Sequence, residues 1–314
     1  MGIKVLIGIP VLDNLEMNRA CLEHLFRYTE RDRIDLNVSL LILDNGSRED
    51  IPGLLRTDFN TPPFELHYRR NPRNLGVAIA WNQILNFCPN PVPGEEFYYD
   101  YYVISNNDAL CGPDWLQPMV EAMKEDRRIG WVSAMENGSP VQKELLEAHA
   151  ISKQYRIDPL KPFTTAEIYR SIEEIYASWG GFEAFCRTIQ ERHLPRFIPF
   201  VKDGRSAVCF MLRPEMVNEI GFFDEEFAPV GIAEDLEYFL RMDGILDPPD
   251  PRNRPPYENK RWRSGYCGQS IVHHNWCSTR QGKHFDGRKW DQMREKNWKT
   301  KFGRSKKYFT RLFD

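Results

Sequence analysis

Several acidic and imidazole side chains stand where they could act on a ligand. Asp13, Asp44 and Asp108 each come shortly after an apolar run, Lys4–Pro10, Val38–Leu43 and Tyr101–Ile104. Glu234 and Asp235 are neighbours within GFFDEEFAPVGIAEDLEYFLR (Gly221–Arg241), as are His273 and His274 within HHNWCS. Groups of these types accept hydrogen bonds from ligand hydroxyls, hold a hard cation or move a proton. Singly, each has a plain structural reading. An Asp after a strand is commonly a turn or helix cap. Glu234-Asp235 suits a solvated first helical turn, where carboxylates favour the dipole. Cys267, His273, His274 and Cys277 could hold zinc, but their spacing fits no common zinc module.

The elements that must position these groups alternate along the first half of the chain. Strand patterns at Lys4–Pro10, Val38–Leu43, Glu65–Arg69, Tyr101–Ile104 and Ile129–Ala134 interleave with helical patterns at Met17–Tyr28, Val77–Phe87 and Asp114–Asp126, the last with Asp114 as its cap. This order predicts an α/β fold, a mostly parallel central sheet with helices on both faces. Asp13, Asp44 and Asp108 then gather beyond the carboxyl ends of their strands, the crevice where open α/β sheets bind small molecules.

Asn137–Phe200 breaks the rhythm with three helical stretches, Gln142–His149, Thr165–Ser178 and Phe182–His193, and reads as a helical insertion. Within it Trp179-Gly180-Gly181 reads as a hinge, a stacking point or a helix–helix turn. The core resumes with a strand at Ser206–Leu212 and a helix from Pro214. Asp247–Pro256 is proline-rich and cannot be regular structure. A strand around Ser270–His274 and a basic aromatic tail follow.

The 314 residues (37.0 kDa) are 41% hydrophobic and 28% charged, an ordinary soluble composition with enough chain for a full core. No apolar run approaches the ~20 residues of a membrane span. MGIKVLIGIP runs straight into a strand pattern, so no secretory signal is expected. The seven cysteines are scattered and never spaced C-x-x-C, which reads as reduced thiols in a cytoplasmic protein. The net charge of −3 conceals an asymmetry: residues 252–314 hold 17 Lys/Arg against 5 Asp/Glu, a balance of +12, and residues 1–251 carry −15. Such a split calls for an anionic partner or a folded-back contact.

In their order the motifs resemble the family 2 glycosyltransferases, which have the GT-A (nucleotide-diphospho-sugar transferase) fold, and especially their rhamnosyltransferase-like branch. IPVLDN (Ile9–Asn14) is similar to the opening Pro-x-Tyr-Asn strand end, with Leu12 and Asp13 replacing Tyr and Asn. LILDNGSRED (Leu41–Asp50) resembles the second-strand Asp-Asn-Gly-Ser-x-Asp signature, and NLGVAIAWNQ (Asn74–Gln83) the Asn-x-Gly-x-x-x-x-x-Asn helix. VISNNDA (Val103–Ala109) occupies the place of the Asp-x-Asp motif in its Asn-Asn-Asp form. The Gly221–Arg241 segment resembles Gly-x-Phe-Asp-Glu-x-Phe followed by Glu-Asp-x-x-x-x-x-Arg, and HHNWCS the late His-x-x-x-Ser segment. The resemblance covers residues 1–135 and 200–280.

The resemblance implies a nucleotide-sugar donor (UDP-, dTDP- or GDP-linked) and a divalent metal, Mn2+ or Mg2+. Asp108 becomes a metal ligand, with His273 or His274 completing the shell, and Asn106 meets the ribose or the metal beside Asn107. Pro10, Val11, Asp13 and Asp44 line the nucleotide side. Asn74 and Gly76 are assigned to the donor, and Asn82 either to the donor or to pinning its helix. Asp235 becomes the base that deprotonates the acceptor hydroxyl in an inverting displacement, with Glu234 beside it. Asp224 binds a hydroxyl or caps a turn, and Glu237 and Arg241 pair along a helix. The implied division is 1–135 for the nucleotide-sugar half, 136–200 for the insertion, 201–280 for the acceptor half and 281–314 for the tail.

Other readings compete. A sugar-phosphate nucleotidyltransferase needs an early glycine-rich loop, and VLDNLEMNR has no glycine. A non-catalytic carbohydrate- or nucleotide-binding module would have lost Asp108 or Asp235, and both are present. The acceptor is expected to be a glycan, glycoprotein or glycolipid hydroxyl, or alternatively a nucleic-acid base. The tail interleaves Lys299, Lys301, Arg304, Lys306 and Lys307 with Trp298, Phe302, Tyr308, Phe309 and Phe313. It suits peripheral contact with an anionic membrane, contact with nucleic acid, or packing on the acidic body. An oligomer is compatible with all three.

Overall fold

The computed structural model describes residues 2–29, 35–91, 97–155, 162–200, 204–227, 234–246, 262–275 and 287–303. Among them nine strands form one sheet: β1 (Ile3–Val11), β2 (Leu36–Asp44), β3 (Glu65–Arg70), β4 (Tyr101–Ser105), β5 (Ala109–Cys111), β6 (Ile129–Glu136), β7 (Ile198–Pro199), β8 (Cys209–Leu212) and β9 (Arg263–His274). Their order is β3-β2-β1-β4-β8-β6-β9-β5, with β7 also on β9. The β3-β2-β1-β4 half is parallel. Beyond it the sheet is mixed: β8 runs antiparallel between β4 and β6, β6 and β9 are parallel, and β5 and β7 oppose β9.

Alternation along the strands sorts the core into layers. Val5, Ile7 and Ile9 of β1, with Leu40 and Ile42 of β2, face α1 (Leu15–Tyr28), α2 (Ile51–Asp58) and α4 (Leu116–Glu125). Leu6, Leu41 and Leu43 face the other way, onto α3 (Val77–Leu85), α8 (Pro214–Ile220) and α9 (Glu234–Met242). Gly8 permits that second layer to sit close, since a Cβ there would lie 2.2 Å from Ile84 Cγ2. Trp131 and Phe210 stack at 4.1 Å between ring centroids, and Phe223, Tyr238 and Phe239 close around them. This aromatic cluster seats α9.

Over the stretches read as helical, α5 (Lys143–Ser152), α6 (Thr165–Tyr176) and α7 (Phe182–Gln190) follow β6. Thr164 and Glu167 form a reciprocal capping box at the start of α6. Ile168, Ile172, Tyr176 and Phe185 pack with Met17 and Ala20 of α1 and with Leu110, Tyr266 and Ile271 of the sheet. Trp179-Gly180-Gly181 is a helix–helix turn: both glycines have positive φ, and the Trp179 ring packs on Tyr176 and Phe185.

Two local expectations change, and two features are added. Asp114 does not cap α4. It has φ 50°, and the helix begins after Trp115 with no side-chain cap bond. β9 begins at Arg263 and not near Ser270, because Gly265, Gly268 and Gln269 interrupt its apolar pattern. β5 has only three residues, too few to show a period. Part of the basic tail is a helix, α10 (Gly287–Phe302), in which Trp298 is fully buried and the Lys301 ammonium meets the carboxylates of Asp224 and Glu226. The folded-back contact is thus formed over the described part of the tail. Among the described residues no helix is long and apolar enough to cross a membrane.

Arg241 fastens α9 to the rest. Fully buried, it donates to both Glu237 carboxylate oxygens at 2.7 Å and to the carbonyls of Ile220 (2.6 Å) and Phe222 (2.9 Å). Removing one partner of a buried ion pair leaves an uncompensated charge and costs about 3–5 kcal/mol. Arg241→Met is therefore expected to lose about that much unfolding free energy in urea titrations, and Arg241→Met with Glu237→Leu clearly less. Equal losses in the two variants would refute the buried-charge account.

Candidate active site

The loop after β2 is held from several sides. Asp44 is fully buried. Its Oδ1 accepts from the Gly46 and Ser47 amides (3.1 and 2.7 Å), and its Oδ2 accepts from the Tyr68 hydroxyl (2.7 Å) and lies 3.4 Å from the Arg70 guanidinium. The Asp44 carboxylate thus shapes the loop. Asp13 ties the end of β1 to the same loop: its Oδ1 accepts from the Arg48 amide at 2.6 Å, and its own amide donates to Ser47 Oγ at 2.9 Å. The Asn45 amide donates to the Val11 carbonyl at 2.8 Å, which draws the loop against the Pro10–Val11 strand end. Gly46 has φ 89°, and a Cβ there would lie 2.4 Å from the Arg73 backbone, so only glycine closes this turn.

Asn74 and Gly76 belong to an amide network that the sequence reading missed. Asn45 Nδ2 donates to Asn74 Oδ1 (3.0 Å) and the Gly76 carbonyl (3.2 Å), and Asn71 donates to Asn45 Oδ1 (3.0 Å) and Gln83 Oε1 (2.8 Å). Asn82 pins its helix: Nδ2 donates to the Phe223 carbonyl and Glu225 Oε1, and Oδ1 accepts from the Phe223 amide. Of its two readings, the structure displays the pinning one. Asn107 is also committed internally, donating to Asn18 Oδ1 at 2.7 Å, while Asn106 is half-buried and its amide donates to the Val208 carbonyl.

The two histidines separate. β5 pairs antiparallel with β9, setting Ala109 opposite His274 and so bringing His274 beside Asp108. His274 Nε2 lies 3.5 Å from Asp108 Oδ1, and Nδ1 lies 2.7 Å from Glu136 Oε2. Burial disfavours the imidazolium, but the Asp108 and Glu136 carboxylates outweigh it and raise His274 to about 10. His273 points to the opposite side, as neighbours on a strand do. Its Nδ1 is 3.0 Å from the Tyr176 hydroxyl, among the insertion's aromatic rings. Burial pushes it down to about 3. His274, and not His273, therefore accompanies Asp108. A zinc site using both histidines is incompatible with their divergence, and Cys277 lies outside the described residues.

Among the described residues no three His, Cys, Asp or Glu side chains form a ready metal shell. Two donors nevertheless fit a divalent ion. Asp108 and His274 Nε2 face each other, buried, and the negative field that raises His274 equally attracts a cation. Two protein ligands suffice for an ion that completes its shell with water and phosphate oxygens. Beside them, a cavity of about 240 Å3 lies between α5, α6 and the end of β9, bordered by His149, Lys153, Ser171, His274 and Asn275.

Asp235 heads α9, half-buried, with Oδ1 accepting from the Leu236 amide at 2.8 Å; Glu234 beside it is buried. Carboxylates in a first helical turn gain from the dipole, and the Arg241 anchor fixes the direction of that turn. Asp224 caps locally, accepting from the Glu226 amide at 3.0 Å, and pairs with Lys301.

Residues 6–194 match the model of Glycosyl transferase family 2. The chain belongs to that family. The match runs through most of the helical insertion, which the motif resemblance had left out, and stops before the segments holding Asp235 and His274. No curated protein matches the chain in sequence. Among solved structures it is similar to the mannosyltransferase PcManGT from Pyrobaculum calidifontis, in complex with GDP-Man and Mn2+. The identity is 13% and the TM-score 0.50, over 100% of this chain and 68% of that one. It is also similar to GalNAc-T7 with UDP, GalNAc and Mn2+, at 10% identity and a TM-score of 0.50, over 91% of this chain and 45% of that one. Family and fold together identify a GT-A glycosyltransferase.

The buried histidines set an acid limit on stability. His273, lowered to about 3, and His24, lowered to about 4 by burial, stay neutral when folded but take up protons near pH 6.5 when unfolded. Their stabilising contribution is present above pH 6.5 and is lost as pH falls through those lowered values. Urea unfolding is expected to show a smaller loss between pH 7 and pH 4 for His273→Gln than for the wild type; identical losses would exclude His273 as a cause.

Proposed function

We propose that this glycosyltransferase moves a sugar from a nucleoside-diphosphate donor to an acceptor hydroxyl with inversion, using Asp235 as base and a cation held by Asp108 and His274. The observation that carries the reading is the meeting of Asp108 and His274 at adjoining strand ends, two buried donors of the types a divalent ion takes. The ligands named for the two similar structures, GDP-Man with Mn2+ and UDP with Mn2+, support a donor of this class. The order of motifs favours the rhamnosyltransferase-like branch, and a glycan, glycoprotein or glycolipid hydroxyl as acceptor.

The chain's own residues divide the work. The loop shaped by Asp13 and Asp44, with the Pro10–Val11 strand end and the Asn74–Gly76 turn, receives the nucleotide in a form already ordered by its internal hydrogen bonds. Asp108 and His274 would hold Mn2+ or Mg2+, which would supply positive charge against the negative charge of the leaving diphosphate. Asp235 takes the acceptor O–H proton while that oxygen bonds to the anomeric carbon. The electrons of the breaking bond leave with the diphosphate, and the single displacement inverts the centre. Glu234 supports Asp235 from the same turn.

Asp235→Asn is expected to fold and to bind donor nucleotide, while transfer falls by about 10²–10⁴-fold, the usual worth of a positioned base. Near-normal turnover would eliminate Asp235 from that role. EDTA is expected to abolish nucleotide release and Mn2+ to restore it. Activity unchanged by chelation would remove the cation from the reading.

A further inference from the structure

We propose that Glu136 is a positioning residue whose carboxylate holds the Nδ1–H of His274 and thereby turns the Nε2 lone pair toward Asp108, making His274 a cation ligand. This rests on the reading of Asp108 and His274 as the cation-holding pair. A cation takes Nε2 in place of the proton there, which leaves the ring its single N–H on Nδ1, and the hydrogen bond made by that nitrogen orients the other. At 2.7 Å the Nδ1–Glu136 contact is a full hydrogen bond, while the 3.5 Å from Nε2 to Asp108 is too long for a good one. The nearer carboxylate therefore fixes the tautomer.

The carboxylate itself is fixed from the core outward. Glu136 ends β6 and is buried. Its Oε1 accepts from Ser206 Oγ at 2.7 Å. The Ser206 carbonyl accepts from Ser133 Oγ at 2.7 Å, and Ser133 Oγ accepts from the indole of Trp131 at 2.8 Å. Trp131 is the ring stacked on Phe210. The orientation of His274 is thus set by a chain of contacts running back into the aromatic cluster that also seats α9. Asn137, the next residue, adds a second hold, accepting from the His274 amide at 2.6 Å through Oδ1.

The test is Mn2+ titration of the full-length protein by calorimetry or electron paramagnetic resonance, with thermal melting of each variant alongside. Loss of a carboxylate behind a ligating histidine weakens metal binding about 10–100-fold. Glu136→Ala is expected to raise the Mn2+ dissociation constant by that factor. Glu136→Gln, which keeps an acceptor oxygen without charge, is expected to raise it less, and it serves alone if the alanine variant does not fold. Should both variants bind Mn2+ like the wild type, with only the melting temperature lowered, while Asp108→Asn weakens binding, Glu136 is structural and the proposal fails alone. A wild type that takes up no Mn2+, by itself or with UDP, GDP or dTDP, removes the cation reading and this proposal with it.

Discussion

The burial of opposite charges at the strand ends is the constraint on which the site depends. Asp108, Glu136 and His274 come from the ends of β4, β6 and β9, three strands distant in sequence, and each is largely withdrawn from water. Buried carboxylates are tolerated only when compensated, and the imidazole of His274 between them supplies the compensation. The three-residue strand β5 makes the arrangement possible, because its register with β9 brings the histidine to Asp108. A shift of one residue would exchange His274 for His273 and turn the imidazole into the apolar core formed with α6 and α7.

The opposite layer is organised by a second buried pair. Arg241 and Glu237 hold α9, and Asn82 on α3 grips the segment that precedes it through Phe223 and Glu225. α3 and α9 are therefore linked through the 220–225 segment by hydrogen bonds and not by apolar packing alone. The insertion lies elsewhere. Its helices pack on α1 and on the β5–β9 end of the sheet, and the cavity between α5 and α6 is bordered by His274.

Much of this was legible in the residues. Strand-end aspartates, a helix opening on Glu-Asp and three insertion helices follow from apolar periodicity and from turn chemistry, which act locally. The choice between His273 and His274 could not be made, because alternation tells which side chains share a face but not which face is the site. Glu136 gave no signal: it closes an apolar strand just where the insertion was taken to begin, and its partners are 70 and 138 residues away. Asn45 and Asn71 carried no signal of their own, and only tertiary contact reveals them as one network with Asn74 and Gln83. The zinc alternative rested on chain proximity, which a strand's two-sidedness undoes.

Lys301 changes the meaning of the charge asymmetry. Its ammonium already sits among Asp224 and Glu226, so part of the opposition between basic tail and acidic body is spent within the molecule. An anionic surface or polymer approaching α10 would meet this lysine as a competitor of two carboxylates. To engage it, the newcomer must release Asp224, a residue of the same segment that Asn82 holds from the donor side. Engagement of the tail and release of Asp224 are then two sides of a single exchange of partners.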